Sequence, residues 1–529
     1  MPVSPGPFSS SAAGRMTRIV YIALAILALM HFALLFFVAW HVSWPSAVAA
    51  ALSVAILFLP TRRLLSNYLP LDPFWVRAVA FFLLIAGAHL LLEHADRPEI
   101  VRTRTAFANA TVITGQSDVP AIEHGVVLMD DAGVIVEVGS SQRVNVPSGY
   151  TIVDLQGKFL MPGLINAHGH LMLPGKRDPD TPMEPGSFSY PDWMAKLMIG
   201  FMNTYVGKRL IVWTMERNTQ KAVRAGVTTL RAIGDPHYLD VAVRQRIRNG
   251  RTIGPRLLVA GPIICAPGGH AHQIGLVVDG PEQARATVRA SLARGVDVIK
   301  IASTGGVSDS TRVGEAGELQ MGFDEIAAIV EVAHDNGVLV TSHTQSTEGI
   351  KQTLRAGVDN IEHGAALDDE AVDLFINNPR ALRGYSSLHP TLSMGAGLPP
   401  LTDEIRNDPA GYIVYQNGKR ITEGSRSGYK TAVKHGIRLG IGTDAGLIQH
   451  GAVWKELRYF TQHAELSNSQ ALHIGTLATA RSIGVDKITG SIEKGKSADL
   501  IILDRDPRED LSALAQPSMV IAKGVVVFP

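Results

Sequence analysis

The sequence has very little cysteine and very little net charge. Cys265 is the one cysteine among 529 residues, so an intramolecular disulfide and a cysteine-ligated metal cluster are both excluded. The formal charge is +1, and no long run of basic or acidic residues occurs. Proteins that bind nucleic acid normally present a basic face, so this composition argues against a nucleic-acid partner.

Long apolar runs, by contrast, are present in the first hundred residues. Residues 19–40 are apolar except for His31, a length that crosses a hydrocarbon core as one helix. Two further runs follow at 44–59 and 74–92, which favours about three transmembrane helices over a signal peptide. We predict a disordered N-terminus at 1–17 and a membrane anchor at 18–93. A shallow hairpin or an interfacial helix stays open for the second run.

Positive charges near the apolar runs indicate the orientation of the predicted anchor. Arg15 and Arg18 precede the first run, and Arg62 and Arg63 lie between the second and third. This pattern places the N-terminus inside, and an odd number of spans carries the remaining chain to the outer side. We therefore expect a protein of a bacterial inner membrane with its catalytic domain in the periplasm, whereas two spans would reverse the side.

Short alternating apolar segments occupy both ends of the region after the anchor. One set lies within 103–154, and a matching set occurs at 499–503 and 520–527. We predict that the two ends pair into one small β-sandwich domain, formed by 103–159 and 485–529. A central unit, 160–484, is inserted between them.

The central unit alternates strand-like runs with helix-length amphipathic stretches, the pattern of parallel βα units. A glycine followed by an apolar residue recurs between them, as in Ala225-Gly226-Val227, which suits a helix end followed by a strand. Eight such units predict an α/β fold with a (β/α)8 TIM-like barrel. The predicted strands are 164–168, 228–233, 256–260, 296–301, 338–343, 360–363, 384–389 and 438–443.

Polar side chains stand at the carboxyl ends of these predicted strands, the edge where such barrels carry their active sites. His168 and His170 are two residues apart, so both can point the same way from the first strand. His343 and His363 end the fifth and sixth strands, and neutral imidazole is a common ligand for zinc-like ions. Asp444 follows the eighth strand among small neighbours. Each residue alone is weak evidence for a metal site.

Lys300 lies near the end of the otherwise apolar fourth strand. Burial penalises the ammonium and lowers the pKa of a lysine, which makes the neutral amine accessible. A neutral amine can add carbon dioxide to form a carbamate, an anion whose two oxygens can bridge two cations. For an isolated lysine, a snorkelling side chain is the more common outcome, so Lys300 gains its weight from the other five residues.

Together these six residues resemble the amidohydrolase superfamily, in particular its two-metal branch with a carbamylated lysine. The resemblance extends from about 103 to 527. It is closest to the imidazolonepropionase-like group, which includes metal-dependent Xaa-Pro and Xaa-Lys/Arg dipeptidases and ochratoxinase. Further supporting motifs are Gly254-Pro255-Arg256-Leu257, Pro267-Gly268-Gly269-His270, Thr304-Gly305-Gly306-Val307, Ile361-Glu362-His363-Gly364 and residues 490–500.

The resemblance implies a centre of two divalent metal ions, with zinc as the expected metal. The implied ligands are His168, His170 and Asp444 for the more buried ion, His343 and His363 for the more exposed ion, and carbamylated Lys300 as the bridge. Asp444 and Lys300 would be the catalytic residues. Asp444 would accept the proton of the attacking water and pass it to the leaving nitrogen.

His270 and His272 follow the third strand in a glycine-rich turn. The resemblance implies that His270 faces the substrate, and we predict both histidines as substrate-binding residues, with bonding to the turn backbone as the alternative. One departure concerns the fifth strand, where relatives commonly have His-Ala-His-Gly and this chain has His343-Thr344-Gln345-Ser346. The second histidine is missing, which puts that family substrate contact in doubt.

Long loops are predicted after strands one, four and seven, at 174–193, 304–320 and 386–400. Lys176, Arg177 and Arg312 lie in the first two and could receive a substrate carboxylate. Solvated loop charges are the more common finding for such residues.

The predicted function is that of a membrane-anchored hydrolase that cleaves a C–N amide bond in a small molecule, either a dipeptide or an N-acyl amino acid. A lactone or carbamate substrate is the alternative.

A one-metal hydrolytic deaminase would lack Lys300 and usually carries a glutamate three residues after the strand-five histidine, where this chain has Ser346. A non-catalytic barrel is disfavoured because such proteins usually lose ligands. Assembly into a homo-oligomer stays open.

Overall fold

A computed structural model of the protein describes residues 102–181 and 192–528. The predicted N-terminus at 1–17 and the predicted anchor at 18–93 lie outside these residues. Within the described ranges, no helix combines the length and apolar sequence needed to cross a membrane. The longest of them, Pro409–His435, carries Lys419, Arg420 and Glu423 in its middle. We therefore correct the predicted location and withdraw both the bacterial inner membrane and the periplasmic catalytic domain.

Alternating and continuous apolar runs produce eighteen β-strands in the described part of the chain. They are β1 (Thr105–Val112), β2 (Ile122–Met129), β3 (Ile135–Ser140), β4 (Thr151–Asp154), β5 (Phe159–Pro162), β6 (Leu164–Gly169), β7 (Val227–Ala232), β8 (Arg256–Val259), β9 (Ile264–Cys265), β10 (Leu276–Val277), β11 (Val298–Ala302), β12 (Leu339–Thr344), β13 (Asn360–His363), β14 (Ser387–His389), β15 (Arg438–Leu439), β16 (Leu500–Leu503), β17 (Met519–Ala522) and β18 (Val525–Phe528).

One sheet of eight strands contains both ends of the catalytic region. Its order is β18-β17-β16-β5-β1-β2-β3, and β4 pairs with β1. The two ends meet where β16 runs antiparallel to β5, with Leu503 opposite Phe159. Because β1 pairs with β2 on one side and with β4 and β5 on the other, the strands of both ends form one continuous hydrogen-bonded sheet.

The barrel consists of eight parallel strands, namely β6, β7, β8, β11, β12, β13, β14 and β15. The ring closes between β15 and β6, where the Ala167 N–H donates to Ile441 O at 2.7 Å. It also closes between β8 and β11, where the Asp297 N–H donates to Val259 O at 2.7 Å. Each strand overlaps one of the eight predicted runs, which confirms the TIM-barrel-like α/β fold.

Thirteen α-helices accompany the strands in the described residues. Gly357 shows how the predicted glycine pattern works, because its φ of +103° ends a helix and lets the chain turn into β13. The helices are α1 (Asp192–Met202), α2 (Tyr205–Arg224), α3 (Leu239–Arg248), α4 (Pro281–Ala293), α5 (Phe323–Asp335), α6 (Thr347–Ala356), α7 (Asp369–Ile376), α8 (Leu392–Ala396), α9 (Asp403–Asn407), α10 (Pro409–His435), α11 (Val453–His463), α12 (Asn468–His473) and α13 (Thr479–Ile483).

Helix α10 packs directly on the backbone that follows β13. The Ser425 hydroxyl donates to His363 O at 2.8 Å and so supports a predicted metal ligand from behind. His363 itself has a φ of +67°, an uncommon conformation for a residue with a side chain. The close approach of α10 therefore helps to hold His363 in place.

Replacing Gly428 by alanine is expected to destabilise the protein by about 2 kcal/mol, because the new methyl group would collide with the Ala365 carbonyl oxygen. Gly424 lies one turn earlier on α10 and is the matched control, since a methyl group there would meet its nearest atom at 3.7 Å. Gly424→Ala should be neutral or stabilising by up to about 1 kcal/mol. Chemical denaturation of both variants tests this, and equal stabilities would refute the close packing.

Candidate metal centre

Two histidines of β6 and an aspartate after β15 lie together at the carboxyl edge of the barrel. Asp444 Oδ1 is 2.9 Å from His170 Nε2 and 3.4 Å from His168 Nε2. One ligand atom from each of the three residues lies within 4.8 Å of the others. Two imidazoles and a carboxylate at this spacing can hold a divalent cation. The structure therefore brings together the three residues predicted for the more buried ion.

His343 and His363 lie beside this group, at the ends of β12 and β13. The His363 ring is centred 5.0 Å from the His168 ring and 4.6 Å from the His343 ring. His363 Nδ1 lies 2.8 Å from Thr391 Oγ1, which leaves Nε2 available as a ligand. Burial lowers the pKa of both His343 and His363 well below the ordinary value, and neighbouring cationic groups add to this effect. Both rings are therefore in the neutral form that binds metals.

Lys300 projects from β11 and is buried, with a relative exposure of 2%. Burial lowers the pKa of Lys300 to about 8, although Glu362 and Asp444 act in the opposite direction. At a pH above this value the amine is largely neutral and nucleophilic. The chemistry of the side chain therefore fits the addition of carbon dioxide.

Among the described residues, three predicted metal-binding side chains each have a buried polar atom without a hydrogen-bond partner: Lys300 Nζ, His343 Nε2 and Asp444 Oδ1. The 2.9 Å contact of Asp444 with His170 does not have hydrogen-bond geometry. Buried polar groups are almost always satisfied, and a cluster of exceptions calls for a further ligand. Divalent cations and a carbamate on Lys300 would satisfy these three atoms, so the residues present fit such a centre.

The buried carboxylate of Glu362 contacts the metal-binding side chain His168 on the side away from Asp444. His168 Nδ1 is 2.8 Å from Glu362 Oε2, while Arg231 donates to Glu362 Oε1 at 2.6 Å and the Thr341 hydroxyl donates to the same oxygen. Burial raises the pKa of Glu362, but His389, Arg231 and His168 outweigh it and hold the pKa well below its usual range. The ionised carboxylate keeps the proton of His168 on Nδ1 and so leaves Nε2 free to ligate.

Arg231 and Glu362 are the supporting residues that the sequence analysis did not single out. Arg231 is 1% exposed, and its guanidinium also donates to Ala167 O and Asn360 Oδ1, each at 2.7 Å. Both residues are charged groups within fully buried barrel strands, β7 and β13. Because these strands also contain other polar residues, neither charge stands out in the sequence as Lys300 does in β11.

The two histidines predicted to bind substrate have different surroundings. The His270 ring stacks on the His343 ring, with centroids 4.2 Å apart, and its Nδ1 is 2.8 Å from Asp309 Oδ1. His270 therefore borders the candidate centre. His272 is exposed, and its Nδ1 lies 3.0 Å from Gly269 O in its own turn. The structure supports the turn-bonded alternative for His272 and does not place it with the other residues.

The position that would carry a deaminase glutamate has a structural role here. The Ser346 hydroxyl accepts a hydrogen bond from the Gly349 N–H at 3.2 Å and caps α6. The nearby Glu348 pairs with Lys351 at 2.6 Å, away from the histidines of the site. Neither residue supplies a carboxylate to the candidate centre.

Comparisons with known proteins agree with this arrangement. Residues 159–527 match the amidohydrolase family. A proposed prolidase from Bifidobacterium longum is 37% identical, with a TM-score of 0.69, over 81% of this chain and 95% of that one. A Xaa-Pro dipeptidase with methionine bound in its active site is 27% identical, with a TM-score of 0.66, over 80% of this chain and 99% of that one.

A curated relative points the same way. Ochratoxinase from Aspergillus niger is 23% identical over 82% of this chain and 89% of that protein. The resemblance seen in the sequence motifs is therefore confirmed at the level of the family and of the prolidase and ochratoxinase group. The chain belongs to the amidohydrolase family and is a hydrolase that acts on carbon–nitrogen bonds.

Proposed function

We propose that the protein is a two-metal amidohydrolase that cleaves the amide bond of a dipeptide or an N-acyl amino acid. The observation that carries the proposal is the group of three unsatisfied buried atoms, Lys300 Nζ, His343 Nε2 and Asp444 Oδ1. A one-metal site built from His168, His170 and Asp444 would leave Lys300 and His343 unexplained. The names of the compared dipeptidase and prolidase support an amide substrate.

Each of the six residues has a defined place in the proposed centre. One cation would be held by His168, His170 and Asp444, the other by His343 and His363, and carbamylated Lys300 would bridge them. When bound, two divalent cations, with zinc as the expected metal, lower the pKa of a water, polarise the scissile carbonyl and stabilise the developing oxyanion.

The Lys300 carbamate would form by addition of the lysine amine to carbon dioxide. The neutral amine nitrogen attacks the carbon of carbon dioxide and forms a C–N bond, while one C=O electron pair moves to oxygen. The nitrogen then releases one proton to solvent. Burial favours this reaction because it lowers the pKa of Lys300 and removes the competing ammonium form.

Asp444 is the proposed general base and acid. Burial raises its pKa, but His168, His170 and His363 outweigh this effect and keep the carboxyl ionised. The carboxylate can therefore take the proton of the attacking water and deliver it to the nitrogen of the breaking amide bond. His270 borders the same space, where it could donate a hydrogen bond to the substrate carbonyl.

The identity of the substrate does not transfer whole from the compared proteins. Gln345, just after β12, stands where relatives have the second histidine of the His-Ala-His-Gly motif. It is buried, and within the described residues its Oε1 has no hydrogen-bond partner. The glutamine amide can accept and donate hydrogen bonds but stays neutral, whereas a histidine can also carry a positive charge. A lactone or carbamate therefore remains the alternative substrate class to be tested.

Hydrolysis of a panel of dipeptides and N-acyl amino acids by the full-length protein tests the proposal, with lactones, carbamates and aminopurine nucleosides as comparison substrates. We expect release of free amino acids, loss of at least about 99% of turnover after chelation, and recovery on addition of zinc ions. Release of ammonia from the nucleosides, or full turnover after chelation, would contradict the proposal.

A further inference from the structure

Arg177 lies in the loop that follows β6 and is fixed to the segment that follows Asp444. Its carbonyl oxygen accepts a hydrogen bond from the Gln449 N–H at 2.9 Å, and its backbone pairs with that of Ile448. Ile448 in turn pairs with Ala445, the neighbour of Asp444. The backbone of Arg177 is therefore held in register with the proposed general base.

The guanidinium of Arg177 has only weak partners. Nη1 lies 3.4 Å from Thr181 O and Nη2 lies 3.5 Å from Met394 O, both at the outer limit for a hydrogen bond. Nε is buried and has no partner. Within the described residues, no carboxylate forms an ion pair with Arg177, in contrast to the buried Arg231, which pairs with Glu362.

The acidic residues closest to Arg177 in the sequence are neutralised by other cations. Asp178 pairs with Lys455, and Asp180 pairs with both Lys455 and Arg458. The described side chains around Arg177 therefore have more positive than negative charge, because Arg177 adds to Lys455 and Arg458 against Asp178 and Asp180. The guanidinium contacts the Met394 carbonyl oxygen, three residues after Thr391, and the Thr391 hydroxyl lies 2.8 Å from His363 Nδ1. The Arg177 side chain is therefore near the proposed centre.

The other two basic loop residues differ from Arg177. Arg312 forms a two-pronged pair with Glu318, and both side chains are largely exposed. Lys176 is exposed. Arg177 alone of the three combines partial burial with an unpaired guanidinium, so it is the best placed to bind an anion.

We propose that Arg177 binds the carboxylate of the amino acid that leaves when the amide bond is cleaved. This inference rests on the proposed function. In a dipeptide or an N-acyl amino acid, that carboxylate carbon is two bonds from the scissile nitrogen. Because Asp444 must reach the nitrogen, the carboxylate also lies on the Asp444 side of the site, where the planar guanidinium can bind both of its oxygens.

The test uses pairs of probes that contain no hydrolysable acyl bond. N-methanesulfonyl-L-leucine and N-methanesulfonyl-L-leucinol differ only in the carboxylate, and the corresponding proline and prolinol pair varies the side chain. Dissociation constants are measured calorimetrically on the zinc-loaded full-length protein. We expect the wild type to bind at least one carboxylate probe at least about tenfold more tightly than its alcohol.

Three variants distinguish carboxylate binding from support of the loop. Arg177→Gln should abolish the carboxylate preference and leave the affinity for the alcohols unchanged, and Arg177→Lys should retain part of the preference. Arg312→Gln is the matched control and should behave as wild type. A preference that survives in Arg177→Gln, an equal loss for both members of a pair, or no preference in the wild type would overturn the inference. Because these probes are not cleaved, the result is independent of the turnover assay that tests the proposed function.

Discussion

Replacing Lys300 by alanine is expected to lower kcat/KM for amide hydrolysis by at least about 10³-fold, which corresponds to about 4 kcal/mol of transition-state stabilisation. In the proposed centre, Lys300 would supply the anionic bridge between the two histidine groups. Without it, His343 and His363 would be left as a pair of neutral ligands for the second ion. Steady-state kinetics with saturating zinc on the best substrate of the panel give the measurement.

Two further variants make the Lys300 result specific. Lys300→Arg keeps a cation at the position but cannot form a carbamate, so it should be as inactive as Lys300→Ala. Lys158 pairs with Asp504 at 2.8 Å at the protein surface, and Lys158→Ala should retain wild-type activity. Wild-type turnover in either Lys300 variant would show that the lysine is a structural residue.

Replacing Glu362 by glutamine is expected to weaken zinc affinity about 10- to 100-fold, the usual effect of removing a carboxylate that orients a metal-binding histidine. The neutral amide would also leave Arg231 without its buried counter-ion, and we expect a loss of about 3 kcal/mol in the free energy of unfolding. Competition with a calibrated chelator measures the first effect. Denaturation of the metal-free protein measures the second.

Glu456 provides the control for a buried carboxylate outside the metal centre. It is fully buried, and accepts hydrogen bonds from the Leu392 and Ser393 N–H groups at 2.7 Å each. Burial raises the pKa of Glu456 to about 7, so its glutamine variant replaces a group that is already partly neutral. Glu456→Gln should leave zinc affinity unchanged. If Glu362→Gln also left it unchanged, Glu362 would have no positioning role.

The barrel could be predicted from the sequence because each βα unit repeats the same local signals. Apolar strands and helix-ending glycines such as Gly357 act over a few residues, so their pattern survives without knowledge of the fold. Lys300 was found for a related reason, since a charged residue in an apolar strand stands out locally. The pairing of the two ends was predicted, but not the register of β5 against β16, because these strands are more than 300 residues apart and no local signal specifies it.

The residues that surround the site were harder to predict from the sequence than the metal ligands themselves. The support of His168 by Glu362 and Arg231 depends on the register of three different barrel strands, which a single sequence does not specify. The contrast between Arg177 and Arg312 is of the same kind, because only the folded loops show that Arg312 has a carboxylate partner and that Arg177 has none among the described residues. His272 was assigned by its proximity to His270 in sequence, yet a one-turn backbone contact directs it elsewhere.

We propose that Lys300 must be carbamylated to complete a two-metal centre, and the number of bound metal ions distinguishes this centre from a one-metal site. Metal-free protein is reconstituted with zinc at a pH above the Lys300 pKa of about 8, with bicarbonate or in buffer free of carbon dioxide, and metal per chain is measured by mass spectrometry. We predict two ions per chain with bicarbonate and at most one without it, with at most one for Lys300→Ala in both buffers. Two ions per chain in the Lys300→Ala variant, or a count in the wild type that does not depend on bicarbonate, would contradict a centre bridged by carbamylated Lys300.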